Sequence, residues 1–235
     1  MIFFKKLKPL YLKTDIHSHL LPGIDDGVKS LDESIEIIKK FISLGYKKLI
    51  ITPHVMEDTY NNSTKIILNK FKELQNAVKN LDIELDISAE YYADSEFLKR
   101  IETGDLLPIN EKYLLFETSY YEKPINLEEI VFKIQTKGLT PVLAHPERYR
   151  YIEDLDDYEK LKDLGVLFQC NINSFGGFYG KNVQKKVKYL AKQHMIDFLG
   201  SDCHSMKYMD SLEKVIKNKN FIKLIERNNI KNNSI

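Results

Sequence analysis

Residues 30–54 decide the fold, and they read SLDESIEIIKKFISLGYKKLIITPH. The first part predicts a half-buried helix, because Ser30 and Glu33 make a capping box and apolar residues recur at helical spacing up to Gly45. Residues 48–52 then form a short apolar run ended by a proline, which is typical of a buried parallel strand. His54 follows directly, so the unit is a helix, a strand and a polar side chain.

The same helix and strand unit recurs along the chain. The further predicted strands lie at residues 14–16, 83–88, 113–116, 141–144, 166–170 and 196–199. About seven strands alternating with helices, with no linker between them, predict an α/β fold that is either a (β/α) barrel or an open doubly wound sheet. We expect a single domain over residues 1–235, with a loosely docked extension at 1–12 and a flexible polar tail at 228–235.

Composition narrows the class of protein. The 235 residues are 43% hydrophobic, which is sufficient for a sizeable core, and their formal net charge is +1. That balance does not favour nucleic acid or an anionic membrane as a partner. Two cysteines are too few for a disulfide framework, and the apolar runs near the amino end are too short to span a membrane. A cytoplasmic protein without a membrane span is expected.

Histidines and carboxylates follow the predicted strands, where both candidate architectures collect their functional groups. Five of the six histidines lie there. The residues that follow strands one to five and strand seven are His17, His19, His54, Glu90, Glu117, His145, Asp202 and His204. Asp25 and Asp26 lie in the loop after strand one, whereas Asn171 and Asn173 after strand six are weaker ligands. So many nitrogen and oxygen donors predict two or three transition-metal ions.

Other residues support phosphoester hydrolysis on these metals. Arg148 lies three residues after His145, and its guanidinium matches the oxygens of a phosphate. Arg150 is an alternative, and either arginine could instead form a surface ion pair. No cysteine is followed six residues later by arginine, so a thiolate-based phosphatase loop is excluded. His194 continues an apolar helical series and is expected to pack or cap near a helix end.

Six short segments carry a resemblance to a known family. They are Asp15-Ile-His-Ser-His19, Leu21-Pro-Gly-Ile-Asp-Asp-Gly27, Thr52-Pro-His54, Ala89-Glu-Tyr-Tyr92, Ala144-His-Pro-Glu-Arg-Tyr149 and Ser201-Asp-Cys-His204. In this order they resemble the polymerase and histidinol phosphatase (PHP) superfamily, and within it the bacterial manganese-dependent protein tyrosine phosphatases of capsule and exopolysaccharide operons. The resemblance implies a distorted (β/α)7 barrel with a trinuclear metal centre at its carboxyl rim.

The resemblance also implies the roles of particular residues. The nine implied ligands are His17, His19, Asp26, His54, Glu90, Glu117, His145, Asp202 and His204. It implies that Asp26, and not Asp25, is the metal ligand. It also implies that Glu90 bridges two ions and that Arg148 binds the phosphate. Mn²⁺ is the expected ion, with iron, zinc and magnesium left open. After His204 many relatives have an asparagine and an arginine, whereas Lys207 here either replaces that charge or is solvated.

The activity implied by the resemblance is hydrolysis of phosphotyrosine. Its protein partner would be the tail of a bacterial tyrosine kinase that controls polysaccharide export. Two alternatives stay open: a small-molecule phosphatase of the histidinol phosphate type on the same metals, and a catalytically silent metal-binding module that regulates a kinase by docking. The sequence leaves the oligomeric state open.

Overall fold

A computed structural model describes residues 12–235, so all but the last residue of the expected amino-terminal extension lies outside the described residues. Leu12, at the start of the described part, is buried. In chain order the strands are β1 (Thr14–Asp15), β2 (Lys48–Ile51), β3 (His54–Val55), β4 (Glu84–Ile87), β5 (Glu90–Tyr92), β6 (Tyr113–Glu117), β7 (Thr140–Ala144), β8 (Leu167–Asn171) and β9 (Phe198–Gly200).

Helices alternate with these strands. Within residues 12–235 they are α1 (Leu31–Ser43), α2 (Thr64–Val78), α3 (Ser95–Thr103), α4 (Leu127–Thr136), α5 (Asp156–Asp163), α6 (Ile172–Phe175), α7 (Lys181–Lys192), α8 (Met206–Ile216) and α9 (Lys219–Ile225), with 3₁₀ turns at Pro146–Arg148 and Asn232–Ser234. None of the helices in this part of the chain has both the length and the apolar character that a membrane span requires.

All strand pairs are parallel, in the orders β1-β2-β4 and β3-β5-β6-β7-β8-β9. A strand lies at each of the seven predicted positions. After short breaks in the chain, β3 follows β2 and β5 follows β4. Past β1 and β9, the backbone N–H of His19 donates to Cys203 O, and that of Asp202 donates to His17 O. The protein is therefore an α/β fold with a curled parallel sheet whose first and last strands meet at their carboxyl ends.

Apart from β4, whose residues are exposed or half-buried, the strands are largely buried on both faces, as their continuous apolar runs predict. In β2, Leu49 and Ile51 pack into the large core shared with the helices, whereas Ile50 faces a smaller second core. The same alternation places Leu115 and Phe198 in the second core. Because side chains of a strand alternate between faces, the curled sheet encloses one cluster and packs the helices against the other.

The first helix forms for the reasons visible in its sequence. The hydroxyl of Ser30 accepts a hydrogen bond from Glu33 N at 3.2 Å, and Ile38 and Phe41 face the core. After the helix, Gly45 adopts a φ of 95°, a left-handed conformation that glycine takes without a steric penalty. Asn126 immediately precedes α4, but its side chain makes no capping hydrogen bond.

The expectation of a flexible tail at residues 228–235 is wrong. Asn232 is fully buried, and its amide nitrogen donates to Thr14 O at 2.9 Å and Leu199 O at 2.7 Å. Its amide oxygen accepts from Leu199 N at 2.9 Å. The polar composition suggested solvent exposure, but an asparagine amide can satisfy backbone groups at a strand end as well as water can. The tail therefore joins β1 to β9 at the base of the sheet.

Candidate metal centre

The structure brings all nine predicted ligands to one place at the carboxyl ends of the strands. They form four overlapping groups whose ligand atoms lie within 4.8 Å of one another. The groups are His19, Asp26, His54 and His204; His17, His19 and Asp202; His17, Glu90 and His145; and His54, Glu90 and Glu117. Only Asp26 is exposed, and His204 is half-buried. The remaining donors are buried, and several belong to two groups, which is the arrangement that a polynuclear site requires.

Glu90 lies at the centre of the cluster and is fully buried. Its Oε2 is 3.2 Å from His17 Nε2, 3.4 Å from His19 Nε2 and 3.1 Å from His54 Nδ1. Its Oε1 is 3.0 Å from His145 Nε2. Burial raises the pKa of Glu90, but the neighbouring histidines, led by His17, hold it well below its usual value. Glu90 is therefore a carboxylate that faces four imidazoles from both of its oxygens.

The spacing of the donors fits a bound cation. The Nε2 atoms of His17 and His19 are 3.2 Å apart. Two imidazole nitrogens at the usual bond length from one ion are separated by about 3.0–3.4 Å in tetrahedral or octahedral geometry. In addition, His54 Nδ1 and Glu90 Oε2 are buried without a hydrogen-bond partner. Such unsatisfied groups are costly, and a divalent cation between them would satisfy both. The mixed imidazole and carboxylate set suits manganese, iron or zinc.

Asp25 and Asp26 lie next to each other but have different environments. Asp26 Oδ1 is 3.4 Å from His54 Nε2 and 3.3 Å from His204 Nε2, so it faces the cluster. Asp25 is buried behind the cluster, where its Oδ2 is 2.9 Å from His19 Nδ1 and accepts from His54 N at 3.1 Å. A carboxylate in this position fixes the orientation and tautomer of the histidine. Asp25 thus positions His19.

A series of side-chain hydrogen bonds from β8 also orients the candidate ligands, and the sequence did not predict it. Gln169 Oε1 lies 2.7 Å from His17 Nδ1, and its amide nitrogen donates to Asn171 Oδ1 at 3.0 Å. Asn171 Nδ2 in turn donates to Asp202 Oδ2 at 2.6 Å. The sequence marked Asn171 only as a weak ligand and did not identify Gln169. The available signal was a polar glutamine inside an otherwise apolar strand.

Arg148 borders the cluster, and Arg150 does not. Arg148 Nη1 donates to Asp202 Oδ2 at 2.9 Å, and its guanidinium carbon lies 4.6 Å from the ring centre of Tyr120 and 4.4 Å from that of Tyr179. Burial lowers the pKa of Arg148, but the Asp202 carboxylate raises it overall, so the side chain is charged. Arg150 is exposed and lies over Tyr121 instead, at 4.9 Å. Of the two candidate arginines, Arg148 is therefore the one that lies beside the donor cluster.

Three residues that the sequence singled out lie outside the cluster. His194 is exposed just after α7, and its Nδ1 is 2.9 Å from Arg227 O, in keeping with a place near a helix end. Lys207 is exposed, with its ammonium 5.6 Å from the ring centre of Phe178. Cys203 is fully buried, and burial raises the pKa of its thiol. The thiol is therefore protonated at neutral pH.

Two of the nine donors have an unusual backbone. His145 has a φ of 34° and Asp202 a φ of 50°, in the left-handed region that non-glycine residues rarely adopt. Each such residue costs roughly 1–3 kcal/mol and persists only where its surroundings hold it. Strain at two residues of one cluster is typical of a functional site.

Tyrosine rings surround the cluster. Tyr60 stacks on His54 with ring centres 5.6 Å apart, Tyr120 lies 5.7 Å from His145, and Tyr208 lies 5.2 Å from His204. These three tyrosines and Tyr179 are half-buried, so they offer ring surface to a molecule that enters from solvent. The sequence did not predict this rim, because Tyr60, Tyr120 and Tyr179 come from separate loops and Tyr208 from the first turn of α8.

The chain is similar to known proteins along most of its length. Residues 13–230 match the family described as capsular polysaccharide synthesis, CpsB/CapC. CapC of Staphylococcus aureus is 30% identical over 234 residues, 91% of this chain and 92% of CapC. YwqE of Bacillus subtilis, named as a tyrosine-protein phosphatase, is 31% identical over 197 residues, 82% of this chain and 78% of YwqE.

The fold is also similar to that of a solved structure. One solved structure comes from work on YwqE of Bacillus subtilis and CpsB of Streptococcus pneumoniae, described as metal-dependent tyrosine phosphatases. It superposes with a TM-score of 0.80 at 27% identity and covers 90% of this chain and 89% of its own. With a match over residues 13–230 and similarity along nearly the whole chain, this protein belongs to the CpsB/CapC family of capsular polysaccharide synthesis.

Proposed function

We propose that this protein is a metal-dependent phosphatase that removes phosphate from phosphotyrosine in protein substrates. The observation that carries the proposal is the position of Arg148, which donates to Asp202 at the edge of a nine-residue donor cluster. The relatives named as tyrosine-protein phosphatases support the choice of substrate. The tyrosine rim supports it too, because an aromatic ring entering the site could stack against it.

The nine clustered residues are the proposed ligands of two or three ions, with Glu90 as the bridging and catalytic carboxylate. Mn²⁺ is the proposed metal, although iron, zinc and magnesium bind similar donors. Divalent ions at such a site lower the pKa of water and neutralise the charge of a phosphate. The protein's own part is to hold the donors rigidly. Asp25 does so for His19, and Gln169 does so for His17.

Arg148 is the proposed phosphate-binding group. Its guanidinium is held between the rings of Tyr120 and Tyr179 and by Asp202, so little ordering is needed when substrate binds. Only Nη1 is engaged by Asp202, which leaves other N–H groups for the phosphate oxygens. A fixed donor aimed at oxygens that gain charge in the transition state accelerates the reaction more than a flexible one does.

Several finer proposals accompany this function. The seven strand regions would form a distorted (β/α)7 barrel that constitutes a single domain with the rest of the chain. The proposed partner is the tail of a bacterial tyrosine kinase in the cytoplasm. These points rest on the family resemblance and on the strand order.

Phosphate release from a phosphotyrosine peptide tests the function. Purified protein with added Mn²⁺ is compared with His145→Ala and Arg148→Ala, and the matched control is Arg227→Ala, which removes an exposed arginine that is not part of the cluster. We expect activity in the wild type and the control and a large loss in the other two. Equal activity in all four proteins would contradict the mechanism. Preference for histidinol phosphate over the peptide would instead favour a small-molecule phosphatase.

A further inference from the structure

A groove leaves the candidate site on the side of Arg148. It has a volume of about 1050 Å³, and Tyr120, Arg148 and Tyr179 line the end nearest the metal cluster. Lys181 and Lys185, from α7, line it farther out. Pockets for small ligands usually measure about 300–1,000 Å³, so the groove has room for more than one phosphotyrosine side chain. A substrate bound at Arg148 would therefore continue into this groove.

Positive charge dominates the exposed part of the groove. Arg150, Lys181 and Lys185 are exposed, and Lys186 is half-buried. Among residues 12–235, neither Lys181 nor Lys185 forms an ion pair with a carboxylate. Lys186 donates to the backbone carbonyl groups of Tyr149 and Ile152 and not to a carboxylate. The groove thus presents cations that the chain itself does not neutralise.

Within residues 12–235, only two carboxylates line the same groove. Glu147 is fully buried and accepts hydrogen bonds from Asn171 N and Ser174 Oγ, so it belongs to the interior. Glu153 is exposed and is the one acidic side chain on the surface of the groove. The basic character also extends along α7, which carries five lysines and no acidic residue. The local charge is therefore positive although the net charge of the chain is only +1.

We propose that this groove binds an acidic peptide segment next to the phosphotyrosine of the substrate, with Arg150, Lys181 and Lys185 as its contacts. The inference rests on the proposed function, because it takes the groove as the continuation of the phosphate site. Charge complementarity favours aspartate and glutamate side chains over neutral ones. A peptide fits better than another polyanion, since the groove starts at the site where a phosphotyrosine of the same chain would sit.

A pair of lysine variants provides a matched test. Lys181→Gln with Lys185→Gln removes two charges from the groove. Lys188→Gln with Lys192→Gln removes two exposed charges from the same helix at a different cavity, of about 510 Å³. Two phosphotyrosine peptides of equal length serve as substrates, one with glutamate and one with glutamine around the phosphotyrosine. A small aryl phosphate, which has no peptide to contact the groove, measures the hydrolysis of the phosphoester alone.

We expect the wild type to prefer the acidic peptide at least about fivefold in kcat/KM at low salt, mainly through KM, because several exposed charge pairs form. The preference should fall to less than about twofold in the groove variant, persist in the control variant, and weaken at high salt. Hydrolysis of the aryl phosphate should be unchanged in both. No preference in the wild type, or an equal loss in both variants, would overturn the proposal.

Binding without catalysis separates this inference from the proposed function. Fluorescence anisotropy of labelled acidic and neutral peptides that lack phosphate measures the groove alone. If the protein binds the acidic peptide and the groove variant does not, the inference stands even where phosphotyrosine is not hydrolysed. If neither peptide binds more tightly than the other, the inference fails even where phosphotyrosine is hydrolysed.

Discussion

Arg148 Nη1 and Asp202 Oδ2 lie 2.9 Å apart, and the other oxygen of the same carboxylate lies 3.6 Å from His17 Nε2 and 3.4 Å from His19 Nε2. One carboxylate thus contacts both the proposed phosphate-binding group and the proposed metal ligands. Burial raises the pKa of Asp202, but the surrounding cations, led by His204, hold it well below its usual value. The ion pair ties the position of the arginine to that of the metal site.

Replacement of Arg148 should therefore lower catalysis while leaving metal binding largely intact. Hydrogen bonds to charged groups contribute about 1.5–3 kcal/mol, so Arg148→Ala should reduce kcat/KM for a phosphotyrosine peptide by about 10- to 100-fold. Arg148→Lys keeps the charge but loses the planar fork, and it should recover only part of the activity. Steady-state phosphate release with metal analysis of each protein measures this. A decrease smaller than about threefold in Arg148→Ala would argue against the role.

Replacement of Glu90 should remove metal. Glu90→Gln keeps the size of the side chain, but its neutral amide has only one oxygen to place between histidines that are 3.0 to 3.4 Å away from the carboxylate. We expect the bound metal to fall by at least one ion per chain, together with activity. Elemental analysis of the purified variant, with circular dichroism as the check on folding, makes the measurement. Glu159→Gln, at an exposed helix position, is the control, and unchanged metal content in Glu90→Gln would exclude the bridging role.

Metal affinity should increase with pH. Burial and the neighbouring His19 lower the pKa of His54, but the carboxylates around it, led by Glu90, raise it overall to about 10 in the metal-free protein. His54 therefore carries a proton at neutral pH that a metal must displace, and affinity should rise about tenfold per pH unit for each proton released. Calorimetric titration of Mn²⁺ into metal-free protein, in buffers of different ionisation enthalpy, counts the protons. Affinity that is constant between pH 6 and pH 8 would contradict the raised pKa.

Thiol modification should leave activity intact. Cys170 and Cys203 are both fully buried, and burial raises the pKa of each thiol. The reactive thiolate is therefore scarce at neutral pH, and a reagent cannot reach it in the folded protein. Phosphatase activity after treatment with iodoacetamide at neutral pH should equal that of untreated protein, and Cys203→Ala should remain active. Inactivation that substrate prevents would indicate a catalytic thiol after all.

Loss of the Asn232 amide should destabilise the fold. Its three backbone hydrogen bonds to Thr14 and Leu199 are buried, and Asn232→Ala leaves all three groups without that partner. Since unsatisfied buried groups cost about 1–3 kcal/mol each before any relaxation, we expect a loss of about 2–4 kcal/mol in the free energy of unfolding. Urea denaturation followed by circular dichroism measures it. The exposed Asn229→Ala serves as control, and equal stability of the two variants would show that the tail does not hold the sheet.

The sequence by itself determined the order of strands and helices and the set of residues at the strand ends. Capping at Ser30, the glycine that ends the helix and the apolar run after it are local signals, and local structure follows from neighbouring residues. The rule that parallel strands collect function at their carboxyl ends then predicted where His17, Glu90 and Asp202 would lie. All nine candidate ligands were found in this way or through the family resemblance.

Only the tertiary structure decided how those residues are arranged and supported. It showed that Arg148, and not Arg150, borders the donor cluster. It also showed that Asp25 orients His19 and that Gln169 contacts His17 Nδ1. It also buried Asn232, which composition had assigned to a flexible tail. Each of these outcomes depends on contacts between residues far apart in the chain, and neither periodicity nor composition records which backbone groups and side chains will meet after the sheet curls.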